Sequence, residues 1–211
     1  MFIDEKKKII FVHNPKAAGS TIHVALKDLY NFKPDSPERK DPEPHIHHSS
    51  YQQILDMKEE YEEYYSFAAV RNPWERLLSG YMDFIQNRKY KYSGLITYDK
   101  PLLSEYKNFK DFVMRIDEGK WVDDVHFLPQ HIYTHASNRV VDTILRVENL
   151  VMDIKPVMRR LGAKYYQHLF TQKHRPSKHG HYAEYYDHES AAKVASLYAK
   201  DIELFGYKYG K

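Results

Sequence analysis

The stretch KIIFVHNPKAAGST, Lys8 to Thr21, decides how the rest of the chain is read. Its first half, KIIFVH, is a short run of β-branched and aromatic residues of the kind that forms a buried parallel strand. Asn14-Pro15 stops the run, and from Ser20 onward Ile22, Ala25, Leu26 and Leu29 recur at helical spacing. The order strand, tight loop, helix opens an α/β unit and places HNPKAAGST at a helix N-terminus. Unpaired N–H groups and the helix dipole favour an anion there. The loop is not a Walker loop, which sets its lysine directly after the second glycine. Here Gly19 is followed by Ser20 and Thr21, and the lysine, Lys16, comes three residues earlier. The backbone N–H groups of Ala18 to Thr21 and the hydroxyls of Ser20 and Thr21 are the candidate donors, with Gly19 permitting close approach. The bland reading is that Gly-Ser-Thr caps a helix beside an exposed lysine.

A second unit repeats the design. YSFAAVR, 65 to 71, reads as a strand, Asn72 as a cap, Pro73 as the first helical residue, and WERLLSGYMDFI as the helix. Arg71 then lies at a strand's carboxyl end and Ser79 two turns into the helix, two groups suited to a second anion. The bland reading pairs Arg71 with a carboxylate and leaves Ser79 incidental.

Elsewhere, residues 33 to 44 hold four prolines among charges and read as an exposed connection. In HIHHSSYQQILDM, Ser50 and Gln53 have capping-box spacing, Tyr51, Ile54 and Leu55 begin an apolar face, and His48 stands just ahead. Residues 88 to 106 form an irregular Tyr- and Lys-rich insertion. Phe109, Phe112, Val113 and Ile116 mark a short amphipathic helix ended near Gly119, its aromatic residues more consistent with core than with a substrate platform. Residues 140 to 147 predict a third strand, followed by a helix to Arg160 that Gly162 terminates and that Pro156 either enters in its first turns or breaks. A last helix is expected over Asp187 to Leu204, with Ala191, Val194, Ala195, Tyr198 and Ile202 on one face. The fold class is therefore α/β, a parallel sheet of P-loop-like topology flanked by helices on both faces.

The chain has 211 residues, 42% of them hydrophobic, which suffices for a core and predicts a single domain over 1–211. A formal charge of +3 falls well short of a general nucleic-acid binder, so any important positive charge is local. With no cysteine, disulfides, thiolate metal sites and a cysteine nucleophile are excluded. The apolar run after the lysines of MFIDEKKKIIFVH is too short for a signal sequence or a membrane span, so the chain is expected to be soluble, with no membrane span and no nucleic-acid partner.

HNPKAAGST resembles the 5′-phosphosulfate-binding loop, and AAVRNPWERLLSGY the 3′-phosphate-binding motif, of sulfotransferases that use 3′-phosphoadenosine 5′-phosphosulfate (PAPS). HFLPQ at 126 to 130, LRVENL at 145 to 150 and AKDIELFGY at 199 to 207 are similar to segments of the short, family-2-like carbohydrate sulfotransferases. The resemblance spans residues 8 to 207 and is weakest in 33 to 44 and 88 to 120. It implies PAPS as cofactor, PAP as its product and a small-molecule or glycan acceptor. Lys16 would meet the leaving oxygen, Ala18, Gly19, Ser20 and Thr21 would hold the 5′-phosphate, and Arg71 with Ser79 the 3′-phosphate. It also implies a cofactor-binding loop that includes Lys173 and Arg175, with Lys178 beside them, and acceptor contacts from His126 and Gln130. A cytoplasmic enzyme is expected, because many glycan-modifying relatives carry a membrane anchor that this sequence does not show, with a trimmed secretory-pathway enzyme as the alternative.

The acceptor hydroxyl needs a general base of near-neutral pKa, which histidine supplies. The resemblance points to HIHHSS, with His48 first, where the positive helix end favours neutral imidazole, and His47 and His45 as alternatives. The competing reading of this cluster, a metal site, lacks an acidic partner at a fixed spacing, so no metal is expected. Arg146 and Glu148 read as a structural ion pair. Two other functions remain open: a small-molecule or nucleotide kinase on the same fold, disfavoured by the missing Walker lysine and Walker-B aspartate, and an inactive PAP- or glycan-binding module.

Overall fold

The computed structural model describes residues 1–30, 48–86, 106–118, 120–163, 167–171 and 179–210. The proline-rich connection, His45, His47, Gly119, Lys173, Arg175, Lys178 and the Tyr/Lys-rich insertion up to residue 105 lie outside them. In chain order the regular elements are β1 (Phe2–Asp4), β2 (Ile9–Val12), α1 (Gly19–Tyr30), α2 (Tyr51–Leu55), β3 (Tyr65–Val70), α3 (Pro73–Gln86), α4 (Phe109–Arg115), α5 (His131–Thr134), β4 (Thr143–Arg146), α6 (Leu150–Arg160), α7 (Gln167–Thr171), α8 (His188–Leu197) and α9 (Ala199–Phe205). Two compact units divide the chain. One comprises Met1–Asp41, His45–Arg71 and Ile132–Pro176, the other Pro42–Pro44, Asn72–His131 and Ser177–Lys211.

The first unit holds a four-stranded sheet of order β1-β2-β3-β4. β2, β3 and β4 run parallel, with Phe11 opposite Phe67 and Phe67 opposite Thr143. Every residue of β2 is buried, as a parallel strand covered on both faces requires. Phe11, Phe67, Ala69 and Leu145 point to one face, into a core completed by Ile22, Ala25 and Leu26 of α1, Ile154, Val157 and Met158 of α6 and Phe170 of α7. Each Phe, Leu, Ile, Val or Met side chain removed from water here contributes roughly 1.5–3 kcal/mol. On the opposite face α2 is tied to the sheet through Tyr51, whose Oη lies 3.0 Å from Ser66 Oγ and donates to it. The sheet thus carries helices on both faces, as expected. α2 begins with the anticipated capping box, Ser50 and Gln53 exchanging side-chain and backbone bonds.

Within this unit β1, β4 and α6 differ from the sequence reading. β1 is an antiparallel edge strand that pairs Phe2 with Phe11, where no strand was expected. β4 spans only Thr143–Arg146, because the Asp142 carboxylate accepts from Ser66 N (2.7 Å) and Oγ (2.9 Å) and takes that residue out of regular pairing. Pro156 neither enters the first turn of α6 nor breaks the helix: it sits mid-helix, exposed, and the helix runs on to Arg160. Gly162 ends it as expected, at φ 64°, with Ala163 N donating to Met158 O.

The second unit packs α3, α4, α8 and α9 around an aromatic core in which the Phe112 ring meets Tyr81, Trp121 and Phe127. Phe109 and Phe112 are core residues, as anticipated. Asn72 caps α3 by accepting from Trp74 N at 3.1 Å, with Pro73 at the first helical position. The single terminal helix expected over Asp187 to Leu204 is two helices. They break at Tyr198, a buried residue at φ −113° and ψ 28°, whose hydroxyl donates to Phe127 O at 2.7 Å. Of the apolar face expected there, Ala191, Val194 and Tyr198 are buried, whereas Ala195 and Ile202 are only half-buried.

Candidate functional site

The loop between β2 and α1 turns tightly at once: Asn14 N donates to Val12 O (3.1 Å) and Ala17 N to Asn14 O (3.4 Å). The buried Asn14 side chain donates from Nδ2 to Ala69 O at 2.9 Å, which fastens the carboxyl end of β2 to that of β3. Lys16 and Ala18 then take left-handed backbone at φ 64° and 57°, while Ala17 and Gly19 between and after them do not. Such alternation is the backbone pattern found in anion-binding nests. Left-handed backbone costs a non-glycine residue about 1–2 kcal/mol, so two in three residues are a sustained strain of the kind concentrated at functional sites. α1 follows directly, Ile22 N donating to Ala18 O, and no acidic residue in its first turn competes for the positive helix end.

Gly19 is required here for space. A Cβ at this position would lie 1.9 Å from His13 Nε2, so the close approach that glycine permits is to the His13 ring. Thr21 is buried, and Lys16 and Ser20 are half-buried. Arg71, leaving β3, donates from Nη1 to the carbonyl oxygen of Lys16 at 3.3 Å. The guanidinium expected at one phosphate is thus bonded to the main chain of the loop that carries the lysine expected at the other.

His48 joins the same loop from the other side of the sequence. Its Nδ1 lies 3.4 Å from the carbonyl oxygen of His13, and the two imidazoles meet edge to face with centroids 4.8 Å apart. A carbonyl oxygen only accepts, so this contact places the proton on Nδ1 and leaves the Nε2 lone pair as the basic site. The five-residue α2 has a small dipole, so the His13 carbonyl rather than the helix end orients the His48 ring.

The remaining expected residues lie in the second unit. Ser79 is buried within α3. His126 is buried beside Asp124, with Nδ1 2.9 Å from Oδ1. Gln130 is fully buried, and its backbone N–H donates to Asp201 Oδ2 at 2.6 Å. His13 is the residue to which the sequence reading gave no role: it was only the first letter of HNPKAAGST, and its packing against Gly19 and His48 gives it a place. Among the described residues no group of three or more His, Cys, Asp or Glu is arranged to hold a metal ion. No helix among them is long and apolar enough to cross a membrane.

No curated protein and no solved structure matches the chain. A family model described as the sulfotransferase family matches residues 1–208, across both units. A nest loop carrying Lys16, an arginine bound to it and a match over nearly the whole length lead to one assignment: the chain belongs to the sulfotransferase family.

Proposed function

We propose that the protein transfers the sulfuryl group of PAPS to an acceptor hydroxyl, with a carbohydrate as the acceptor class, and that the family match across both units describes one catalytic domain. The observation that carries this reading is that a single loop gathers Lys16, Arg71 and His48 beside the start of α1. The alternating backbone of residues 16–19, the glycine with no room for a side chain and the absence of a first-turn carboxylate all suit a phosphate ester.

PAPS would supply the sulfuryl group and leave as PAP. Ala18, Gly19, Ser20 and Thr21 would hold its 5′-phosphate, and Arg71 with Ser79 its 3′-phosphate, the group that separates PAPS from ATP. His48 takes the proton of the acceptor hydroxyl on Nε2 as the acceptor oxygen bonds to sulfur. Lys16 meets the negative charge that collects on the bridging oxygen as the opposite sulfur–oxygen bond breaks. A charge-stabilising donor of this kind contributes about 10²–10³ in rate. The carbohydrate class rests on the family resemblance.

The test is thermal stabilisation by PAP against ATP with magnesium, followed by transfer of labelled sulfate from PAPS to a panel of glycans and small alcohols. Stabilisation by PAP and label on an acceptor support the reading. A preference for ATP would move the assignment to a kinase, and PAP binding without transfer to any acceptor would leave a binding module.

A further inference from the structure

We infer that His13 is a positioning residue for the histidine base, holding the His48 imidazole in one tautomer and one orientation relative to the loop that bears Lys16. The inference rests on the reading of His48 as base. At 3.4 Å the bond from His48 Nδ1 to the His13 carbonyl is long, and by itself it leaves the ring free to pivot about that contact. The second contact removes this freedom: the His13 ring stands edge to face against the His48 ring, at an interplanar angle of 69°. Two points of attachment from one residue define both which nitrogen is protonated and where the other points.

His13 can do this because its own ring is held. On one side lies the backbone of Gly19, close enough that a methyl group there would overlap Nε2 and Cδ2. On another the ring stacks with Phe11 at 6.0 Å and Phe2 at 6.4 Å, both part of the buried core. The next residue, Asn14, is bonded to Ala69 O. The base is thereby referenced, through one packed ring, to β2 and to the first residue of α1, the same elements that carry the anion donors. An imidazole tethered only by its own segment would sample several poses, and misplacement of a reacting group by about 1 Å costs on the order of 10²-fold in rate.

The experiment uses the full chain with His13→Ala, His13→Phe and His48→Ala, measuring kcat, the KM for PAPS, the pH dependence of kcat/KM and the ¹⁵N imidazole spectrum of His48. His13→Ala should lower kcat by about tenfold to a hundredfold with little change in the KM for PAPS. The main-chain carbonyl of residue 13 remains in this variant, so its spectrum should keep Nδ1–H, with the His48 resonances broadened by the ring's added freedom. His13→Phe, which keeps an aromatic edge against His48, should recover most of the loss. Wild-type kcat and pH profile in His13→Ala, beside an inactive His48→Ala, would overturn the inference and leave the base standing. Turnover retained by His48→Ala would instead overturn the base itself. If His13→Ala does not fold, the wild-type spectrum decides: a His48 found mainly as Nε2–H refutes the inference.

Discussion

Arg71 Nη1 donates to the main-chain oxygen of Lys16 across 3.3 Å, so the residue that leaves β3 grips the loop that leaves β2 at its lysine. A guanidinium has five donors in a rigid fork, and one can hold the loop while others face a phosphate. A lysine ammonium is a compact point charge on a flexible stem, without that fixed division of contacts. Arg71→Lys should therefore weaken PAP binding about tenfold or more, in line with the roughly 1.5–3 kcal/mol of a hydrogen bond to a charged group. Titration calorimetry with PAP checks this; an unchanged dissociation constant would take Arg71 out of the site.

Lys16 joins a strained backbone to a functional side chain, and one substitution separates the two. Lys16→Gly keeps the left-handed φ of 64° without the steric cost of about 1–2 kcal/mol, while glycine's added freedom in the unfolded chain offsets part of the gain. Stability should hold or rise slightly as kcat falls by about 10²–10³. Thermal melts and steady-state rates on the same preparation test both halves, and near-normal turnover would refute the role of the ammonium.

Gly19→Ala sets a methyl group against the His13 ring, at 1.9 Å from Nε2. Overpacking of this sort costs typically about 1–3 kcal/mol, and here the ring must swing away from His48 or α1 must shift. Adding His13→Ala removes the obstacle, so the double variant should melt higher than Gly19→Ala alone, a coupling that a double-mutant cycle measures. It should not regain activity, because the ring that orients His48 is gone. Additive effects on stability would show that the clash is relieved elsewhere.

The parts of this fold that read directly from sequence are those encoded locally. The apolar run into HNPKAAGST, the capping box of Ser50 and Gln53, and Asn72 with Pro73 each write their geometry into two to four neighbouring residues. What escaped the sequence depends on partners outside each segment, from the next strand to residues tens of positions away. β1 is three residues long and is a strand only because β2 pairs with it. The helix break at Tyr198 accompanies a hydrogen bond to Phe127, and Asp142 leaves regular pairing to meet Ser66. The left-handed Lys16 and Ala18 carry no propensity signal, since glycine is the usual residue at such φ. Lys16 and Arg71 were read as ligands of separate phosphates, whereas their shared contact was not legible, and His13 was given no role because its place comes from packing.

Acid should separate loss of activity from loss of fold, and Asp187 offers a local probe of the second. Its carboxylate caps α8 by accepting from Ser190 N at 2.9 Å and pairs with Lys110 of α4 at 2.6 Å. The Lys110 contact first, and Ser190 next, hold its pKa well below the ordinary 3.8. A carboxylate depressed on folding contributes stability at pH above its unfolded value, and that contribution drains away as pH falls through the folded one. Both groups are exposed, so salt screens the pair. Asp187→Asn keeps a competent helix cap and removes the charge. It should melt below wild type at neutral pH and low salt, with the gap closing as pH drops below 3.8 and as salt rises. Turnover that depends on a neutral histidine falls with acid independently of the Asp187 pair, in both proteins alike. A gap in melting temperature that ignores pH and salt would show that the Asp187 charge adds nothing to the fold. A rate that declines only as the protein melts would remove histidine from the chemistry.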